Sequence, residues 1–323
     1  MQKARPLLFV MMKPLARKVF GMFGLQVHRL HPPTDCSGPL RFGRFVVETN
    51  NAELIRSYRN YPDNNTVIGR LVTLISRKGP IAMIDIGANC GDSLAIAKAA
   101  SPDSEVLCVE GDESMLLDLA RNAQQFTGVE IKGGYLGEST SHVSVSIQKR
   151  GYNNTLVSSE GGEVISIERL DKMVLSWTGL PRLRLIKCDT EGYDIAVLFG
   201  ARETLRTFQP IVLFEYNREA MQTVGEGGSR IFSYLAELGY HDVLFYDNLG
   251  RFLLATDLLQ ENLLRDLHDY ADGRARQIYY YDIVAFANKD AELVADFLRE
   301  ERLRRSVHFT LLHPQPGNNS HTA

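Results

Sequence analysis

A turn at Ile84–Ser93, "IDIGANCGDS", joins an apolar strand to the start of a helix and contains residues that could bind a cofactor. Turns that bind dinucleotides read G-x-G-x-x-G, with a second glycine that admits the pyrophosphate and a third that lets helix and strand pack closely. Counted from Gly87, these two positions hold Asn89 and Asp92. An aspartate at a helix N-terminus would also repel a pyrophosphate from the positive end of the helix dipole. The turn therefore argues against a nicotinamide dinucleotide.

The acids around this turn suit S-adenosylmethionine better, because that cofactor carries no phosphate and has an ammonium group, a sulfonium and a ribose diol. We expect Asp85 and Asp92 to face its ammonium side, and backbone N–H groups from Gly87 to Gly91 to bind its carboxylate. Glu110 lies 25 residues after Asp85 at a strand end, where its carboxylate could accept hydrogen bonds from both ribose hydroxyls. Either cofactor class would accept that ribose contact. The predicted cofactor-binding residues are Asp85, Gly87, Asn89, Gly91, Asp92, Glu110 and Tyr135.

Acids at two further strand ends could carry transfer chemistry. Asp189 and Glu191 follow a strand two residues apart, so their side chains share one face if the extended geometry continues. They could form a base with an orienting partner, or offer oxygen ligands to a Mg-like cation. Glu215, at the end of the next strand, could join them as a third catalytic residue. His142 is another candidate base, although a lone histidine is more often an ordinary surface side chain.

Structural explanations for the same residues remain open at this point. The glycine-containing turn could be only a tight connection, and Glu110 could be a helix-capping acid. Asp189 and Glu191 could cap the helix that starts near Gly192, because acids are stabilising at a helix N-terminus.

The elements that must position these residues alternate between strands and helices. Apolar strand-like runs predict a sheet buried on both faces, and amphipathic runs between them predict the covering helices. The runs are "IAMIDI", "EVLCVE", "VEIKGG", "RLRLIKCD" and "PIVLFEY" for strands, and "SLAIAKAA", "SMLLDLARNAQQF", "DIAVLFGARETL" and "SRIFSYLAELG" for helices. We predict an α/β fold with a doubly wound, mostly parallel, seven-stranded Rossmann-like sheet. In such a sheet the carboxyl ends of the strands, where the motif residues lie, form one rim.

Two other patterns add to this sheet. The runs "HVSVSIQ" and "GEVISIERL" alternate with period two and predict an inserted β pair, and residues 240–256 predict a hairpin that turns at Asn248–Gly250. "YYYDIVAFA" predicts a late strand beside the sheet. We divide the chain into an N-terminal arm (1–40), a helical lead-in (41–78), the main domain (79–290) and a C-terminal helix with a disordered tail (291–323).

The first thirty residues are basic and their longest apolar run stops at Met12, too short to span a membrane. The helical spacing from Leu15 to Phe23 is typical of a segment that lies on an anionic membrane surface, of a transit peptide, or of a helix packed on the main domain. A net charge of -3 and a pI near 6.3 argue against a nucleic-acid partner. The four cysteines lack metal spacing and predict free thiols in a reducing, cytoplasmic compartment, with peripheral membrane contact left open.

The motifs together resemble the FkbM-type branch of class I S-adenosylmethionine-dependent methyltransferases. The similarity is carried by "IDIGANCGDS", "VLCVEGDESM", "LIKCDTEGYDIAVLFGARETL" and "QPIVLFEYN", in that order and spacing. It covers residues 80–218 well and extends more weakly to the strand near 286. The most specific piece is the K-x-D-x-E-G-x-(D/E) run at Lys187–Asp194 with the pair Gly200-Ala201.

The resemblance implies that Asp85, Gly87, Gly91 and Glu110 bind the cofactor and that Asp189 lies near the transferred methyl group. Members of the family typically methylate hydroxyl groups on sugars or secondary metabolites, often in glycan or natural-product pathways. One departure is "VEGD", in which a glycine follows the acid where many relatives have proline.

The sequence therefore predicts an S-adenosylmethionine-dependent O-methyltransferase acting on a small-molecule or glycan acceptor, with a divalent cation as an open possibility. We expect residues 138–163 and 217–230 to form the acceptor pocket. Their sequences contain no motif that identifies the acceptor. One alternative is a nicotinamide-dependent oxidoreductase, which Asn89 and Asp92 disfavour. Another is a non-catalytic scaffold that kept the fold. Such a protein would be expected to have lost acidic residues at the rim of the sheet, and no such loss is evident.

Overall fold

The structure is a computed structural model that describes residues 38–150, 153–159, 161–272 and 277–312. Nearly all of the predicted arm and the tail after Leu312 lie outside these ranges, so their interpretations stay predictions. Within the described ranges, no helix is both long and apolar enough to cross a membrane. Cys90, Cys108 and Cys188 are buried free thiols, as predicted, and Cys36 lies outside the described residues.

The described strands are numbered in chain order. They are β1 (Leu40–Phe42), β2 (Phe45–Val47), β3 (Ala82–Ile86), β4 (Glu105–Glu110), β5 (Val129–Gly133), β6 (Tyr135–Leu136), β7 (Ser141–Arg150), β8 (Asn153–Ser158), β9 (Glu163–Glu168), β10 (Leu183–Cys188), β11 (Ile211–Tyr216), β12 (Tyr240–Asp247), β13 (Phe252–Asp257) and β14 (Tyr281–Ala287).

The described α-helices are numbered in the same way. They are α1 (Ala52–Asn60), α2 (Thr66–Ile75), α3 (Asp92–Ala100), α4 (Glu113–Ala123), α5 (Leu170–Met173), α6 (Asp194–Phe199), α7 (Arg202–Phe208), α8 (Arg218–Thr223), α9 (Arg230–Glu237), α10 (Glu261–Tyr270) and α11 (Ala291–Leu312).

The central sheet has the order β13-β12-β14-β11-β10-β3-β4-β5. The strands from β11 to β5 are parallel, and β14, β12 and β13 are antiparallel additions at one side. Successive residues of β3 pack into different apolar clusters, Ile84 into one and Met83 into the other. The central strands are therefore buried on both faces, which explains why β3, β4, β10 and β11 are mostly apolar.

The predicted count of seven strands is wrong, because the central sheet has eight. Both arms of the predicted hairpin belong to it, since β12 pairs with β14 on one side and with β13 on the other. Every residue of β13 is only partly buried, as expected for a strand at the sheet edge. The late strand β14 lies between β11 and β12, where it brings its own residues beside those of β11.

The predicted β pair is part of a second sheet of four strands, in the order β6-β9-β7-β8. Strands β7 and β9 are the predicted antiparallel partners, with Val143 opposite Ile165. Strand β8 was missed because its sequence, "NNTLVS", is mostly polar and lacks the alternation that marks a half-buried strand. The sheet has an inner and an outer face, since Ile165 is buried and the adjacent Val164 is 67% exposed.

The lead-in is not purely helical, because the hairpin of β1 and β2 precedes α1 and α2. Residues 61–65 separate the two helices. The run predicted as one helix at residues 194–205 is divided into α6 and α7 around Gly200. A side chain at Gly200 would place its Cβ 2.0 Å from the carbonyl oxygen of Gly137, so the chain passes too close there for any other residue.

The predicted C-terminal helix is α11, which runs from Ala291 to Leu312. Its Glu301 forms a buried ion pair with Arg70 of α2, with the Nε and Oε1 atoms 2.5 Å apart. This pair connects α11 to the lead-in.

Candidate active site

One cavity of about 290 Å³ opens at the carboxyl ends of β3, β4, β10 and β11. The chain continues from β3 to β4 and β5 on one side, whereas β10 and β11 lie on the other, so strand order switches beside β3. Ligands of doubly wound sheets bind at such a switch point. The cavity walls come from the turn after β3, from strand-end acids, from the inner face of the second sheet and from residues of the lead-in.

The turn after β3 uses three residues in left-handed backbone conformation, with φ angles of 70° at Gly87, 47° at Asn89 and 90° at Gly91. A Cβ at Gly87 would lie 1.8 Å from the carbonyl oxygen of Asp189, so this position requires glycine. Asparagine tolerates the left-handed region better than most residues. The Asn89 side chain also accepts a hydrogen bond from the Cys90 N–H at 2.8 Å, which explains its place in the turn.

Glu110 is held in place on the cavity wall by two backbone donors. The N–H of Asn89 donates to Oε2 and the N–H of Asp112 donates to Oε1, each at 2.8 Å. Burial raises the pKa of this carboxyl, and the two backbone bonds oppose the shift. Because each carboxylate oxygen has a second lone pair, Glu110 can still accept hydrogen bonds from two hydroxyls of a ligand.

The two aspartates that flank the turn have different surroundings. Asp92 lines the cavity, is 5% exposed, and accepts a hydrogen bond from the Tyr58 hydroxyl at 2.5 Å. Asp85 is fully buried, with the Ser93 hydroxyl 2.5 Å from Oδ2 and the Lys187 ammonium 3.3 Å from Oδ1. The expectation that Asp85 faces a ligand is therefore wrong. Its carboxylate is already neutralised by Lys187 behind the cavity wall.

The sequence does not predict a role for Lys187, although it is a charged residue next to the carboxyl end of the apolar strand "LRLIKC". Its ammonium donates to the carbonyl oxygen of Gly87 at 2.8 Å and lies 3.8 Å from Oδ2 of Asp189. Burial would lower the pKa of Lys187, but the carboxylates of Asp85, Asp189 and Asp92 raise it above its usual value. The side chain therefore stays protonated and links the turn after β3 to the end of β10.

Asp189 and Glu191 both line the cavity, but they do not share a face through extended geometry. Strand β10 ends at Cys188, and Glu191 has a φ of 54° in the left-handed region. The backbone therefore turns between the two acids. Asp189 stays at the rim, where its side chain is 39% exposed and its N–H donates to the carbonyl oxygen of Ile86 at 3.1 Å.

A second acid pair stands beside Asp189 on neighbouring strands. Glu215 on β11 is directly opposite Asp282 on β14, and both line the cavity. Burial raises the pKa of Glu215 well above its usual value, and the charges of Asp189 and Glu191 raise it further. Burial raises the pKa of Asp282 to about 8, with Asp189 as the next cause. The sequence does not predict Asp282 as a site residue either. The feature that could have indicated it is an acid at the start of the otherwise apolar run "YDIVAFA".

The family model for the methyltransferase FkbM domain matches residues 45–241, which include the turn after β3 and the acids at the carboxyl ends of β4, β10 and β11. This chain belongs to the FkbM methyltransferase domain family. The match starts before α1 and ends inside β12, so it also contains the second sheet.

Two solved methyltransferase structures are similar to this FkbM-family chain. Methyltransferase FkbM from Methylobacillus flagellatus KT is 17% identical, with a TM-score of 0.37 over 61% of this chain and 52% of that chain. This chain thus spans about half the length of that structure. A putative caffeoyl-CoA O-methyltransferase from Staphylococcus aureus is 14% identical, with a TM-score of 0.38 over 75% of this chain and 93% of that chain. A search of the curated proteins gives no match.

The departure from the usual family pattern after Glu110 has a structural reason in this chain. A Cβ at Gly111 would lie 2.2 Å from Cε1 of Tyr135, so the glycine makes room for the tyrosine ring on the cavity wall. Tyr135, another of the predicted cofactor-binding residues, lines the cavity, as does Met115. Gly91, in contrast, lies behind the wall, where a Cβ would lie 3.1 Å from Leu119.

The predicted metal site and the histidine base find no support. The described part of the chain contains no group of three or more His, Cys, Asp or Glu side chains arranged to hold a metal ion. Asp189 and Glu191 therefore do not belong to such a group among the described residues. His142 is exposed and is not a cavity residue.

Proposed function

We propose that this FkbM-family protein transfers the methyl group of S-adenosylmethionine to a hydroxyl of a small-molecule or glycan acceptor. The observation that carries the proposal is the division of one cavity into two halves. Asp92, Glu110 and Tyr135 line the half near β3 and β4, and Asp189, Glu215 and Asp282 line the half near β10, β11 and β14.

The first half fits the cofactor by its chemistry. Glu110 accepts hydrogen bonds from the ribose hydroxyls, Asp92 faces the ammonium group, and Met115 with Tyr135 gives an apolar surface for the adenine. The backbone N–H groups of residues 87–91 all donate hydrogen bonds within the protein, so the turn offers no donor to a pyrophosphate. For the same reason, the expectation that these N–H groups bind the carboxylate of the cofactor is wrong. When bound, S-adenosylmethionine supplies an electrophilic methyl carbon, whose bond to the sulfonium breaks as the acceptor oxygen attacks.

The Glu110 contact leads to a binding prediction. A Glu110→Ala variant is expected to bind S-adenosylhomocysteine more weakly by about 1–3 kcal/mol, roughly 5- to 150-fold in Kd, because the ribose hydroxyls lose their acceptor. Calorimetric titration measures the change. Glu113→Ala is the matched control, since Glu113 is exposed at the start of α4 and should leave Kd unchanged. Equal affinities of the Glu110→Ala variant and the wild type would remove Glu110 from the cofactor site.

The second half provides a proton acceptor for the hydroxyl. Its raised pKa makes Glu215 a stronger base than an exposed carboxylate once it is ionised. We assign the acceptor proton to Glu215, while Asp189 lies at the rim near the methyl group. The Lys187 ammonium holds Asp189 and the turn after β3 at fixed positions, so the base and the cofactor half keep their relative alignment.

The cavity also favours one class of acceptor. Of the residues with acidic or basic side chains that line it, seven are acids and one is the already engaged cation Lys187. A phosphorylated or carboxylated acceptor group would be repelled there, whereas neutral hydroxyls can donate to the acids. The inner face of the second sheet adds an apolar wall through Val143, Ile165 and Ile167. We therefore propose a neutral, hydroxylated acceptor that has an apolar face, such as a sugar ring or a secondary metabolite.

We also propose a cytoplasmic location for this reaction, because the described cysteines are buried free thiols, as expected in a reducing compartment. The reaction is tested by following a labelled methyl group from S-adenosylmethionine to a panel of neutral sugars, phosphorylated sugars, hydroxylated metabolites and amines. Transfer to oxygen of a neutral acceptor is the expected result. Transfer confined to nitrogen, or to phosphorylated acceptors, would contradict the assignment.

A further inference from the structure

We propose that Tyr58, on helix α1 of the lead-in, is a positioning residue that fixes the Asp92 carboxylate to receive the ammonium group of the cofactor. This role rests on the proposed function, because it concerns the same cofactor site. The two residues are 34 positions apart in the chain, and neither the turn motif nor the helical pattern of α1 indicates their contact.

The contact is direct and enclosed. The Tyr58 hydroxyl donates to Oδ2 of Asp92 at 2.5 Å, and it accepts a hydrogen bond from Nδ2 of Asn65 at 2.9 Å. Asp92 and Asn65 both line the cavity. The hydroxyl therefore joins two cavity walls, one from the turn after β3 and one from the lead-in.

The lead-in is shaped to make this contact. Asn65 directly precedes α2, a position at which an asparagine side chain usually caps the helix. Here it makes no capping bond, adopts a left-handed φ of 57°, and donates to Tyr58 instead. Asn64 donates to the Ser57 hydroxyl at 3.1 Å, and both of these residues also line the cavity.

The Tyr58 ring has packing of its own that is independent of its hydroxyl. The ring meets Phe42 edge-on, with the two centroids 5.2 Å apart. A Tyr58→Phe variant keeps this packing and removes only the hydroxyl. The substitution therefore separates an effect on Asp92 from a general loss of the lead-in structure.

The charge state of Asp92 adds a second readout. Burial raises the pKa of Asp92, while the Tyr58 hydrogen bond and the Lys187 charge lower it and the Asp85 charge raises it. Cys90 is the other titratable neighbour, and burial keeps its thiol neutral by raising its pKa. Without the Tyr58 hydroxyl, the pKa of Asp92 rises further. An ammonium group binds the ionised carboxylate, so the pH at which binding reaches half its maximum should move upward in Tyr58→Phe.

The test compares two ligands by calorimetric titration of the full chain. S-adenosylhomocysteine has the amino-acid part, and 5′-methylthioadenosine has the adenosine and thioether without it. Tyr58→Phe is expected to bind S-adenosylhomocysteine roughly tenfold more weakly, because a hydrogen bond to a charged group is lost, and to bind 5′-methylthioadenosine with unchanged affinity. Tyr61→Phe, at an exposed position after the same helix, is the matched control and should change neither. In an Asp92→Asn background, Tyr58→Phe should have no further effect.

Three results would overturn the role of Tyr58. They are unchanged affinity for S-adenosylhomocysteine, an equal loss for both ligands, and an effect that persists in the Asp92→Asn background. Absence of S-adenosylhomocysteine binding to the wild type would instead overturn the proposed function itself. If Tyr58→Phe does not fold, Asn65→Ala tests the same contact, since it removes the donor to Tyr58. It should selectively weaken S-adenosylhomocysteine binding, and equal affinity would overturn the proposal.

Discussion

Replacing Lys187 with methionine is expected to lower the free energy of unfolding by about 3–5 kcal/mol, the typical cost of breaking a buried ion pair from one side. The ammonium is 3.3 Å from Oδ1 of Asp85, whose side chain is fully buried, and it also donates to the Gly87 carbonyl. Methionine fills a similar volume but leaves the Asp85 charge without a partner. Urea unfolding followed by circular dichroism measures the loss.

Two further variants make this result specific. Lys172→Met removes an exposed lysine that pairs with Glu168, and it should cost less than about 1 kcal/mol. The double variant Asp85→Asn with Lys187→Met removes both charges and should recover part of the lost stability, because the uncompensated carboxylate is gone. A Lys187→Met protein as stable as the Lys172→Met protein would show that the ion pair does not support the fold.

Replacing Glu215 with glutamine is expected to lower kcat for methyl transfer by about 10²- to 10⁴-fold, the usual contribution of a general base. The amide keeps the shape of the side chain and cannot take the acceptor proton. Binding of S-adenosylhomocysteine should be unchanged, since Glu215 lies in the other half of the cavity. A methyl-transfer assay gives kcat, and Glu237→Gln at an exposed position is the control.

The pH dependence of the same reaction has a definite sign. The base must be ionised to accept a proton, and burial together with neighbouring carboxylates raises the pKa of Glu215. The wild-type rate should therefore increase with pH through that raised pKa, and the increase should disappear in Glu215→Gln. A variant with wild-type kcat and the same pH profile would exclude Glu215 as the base.

Much of this architecture could be predicted because it depends on local pattern. Continuous apolar runs identified the parallel strands, and the convergence of their carboxyl ends brought Glu110, Asp189 and Glu215 to one cavity. The turn chemistry also follows from sequence, since Gly87 and Asn89 are residue types that adopt left-handed backbone.

The remaining features depend on contacts between distant segments, which no local pattern encodes. The position of Asp85 behind the wall is set by Lys187, a residue of another strand. The placement of Asp282 beside Glu215 requires β14 to enter the sheet between β11 and β12. The left-handed φ of Glu191 could not be expected, because most residues other than glycine avoid that region.

We propose that the cavity at the switch point accepts S-adenosylmethionine rather than a nicotinamide dinucleotide. Calorimetric titration of the full chain with S-adenosylhomocysteine, and separately with NAD, tests it most directly. We predict saturable binding of S-adenosylhomocysteine, close to one molecule per chain, and no binding of NAD. Saturable binding of NAD without binding of S-adenosylhomocysteine would show that the cavity is a dinucleotide site.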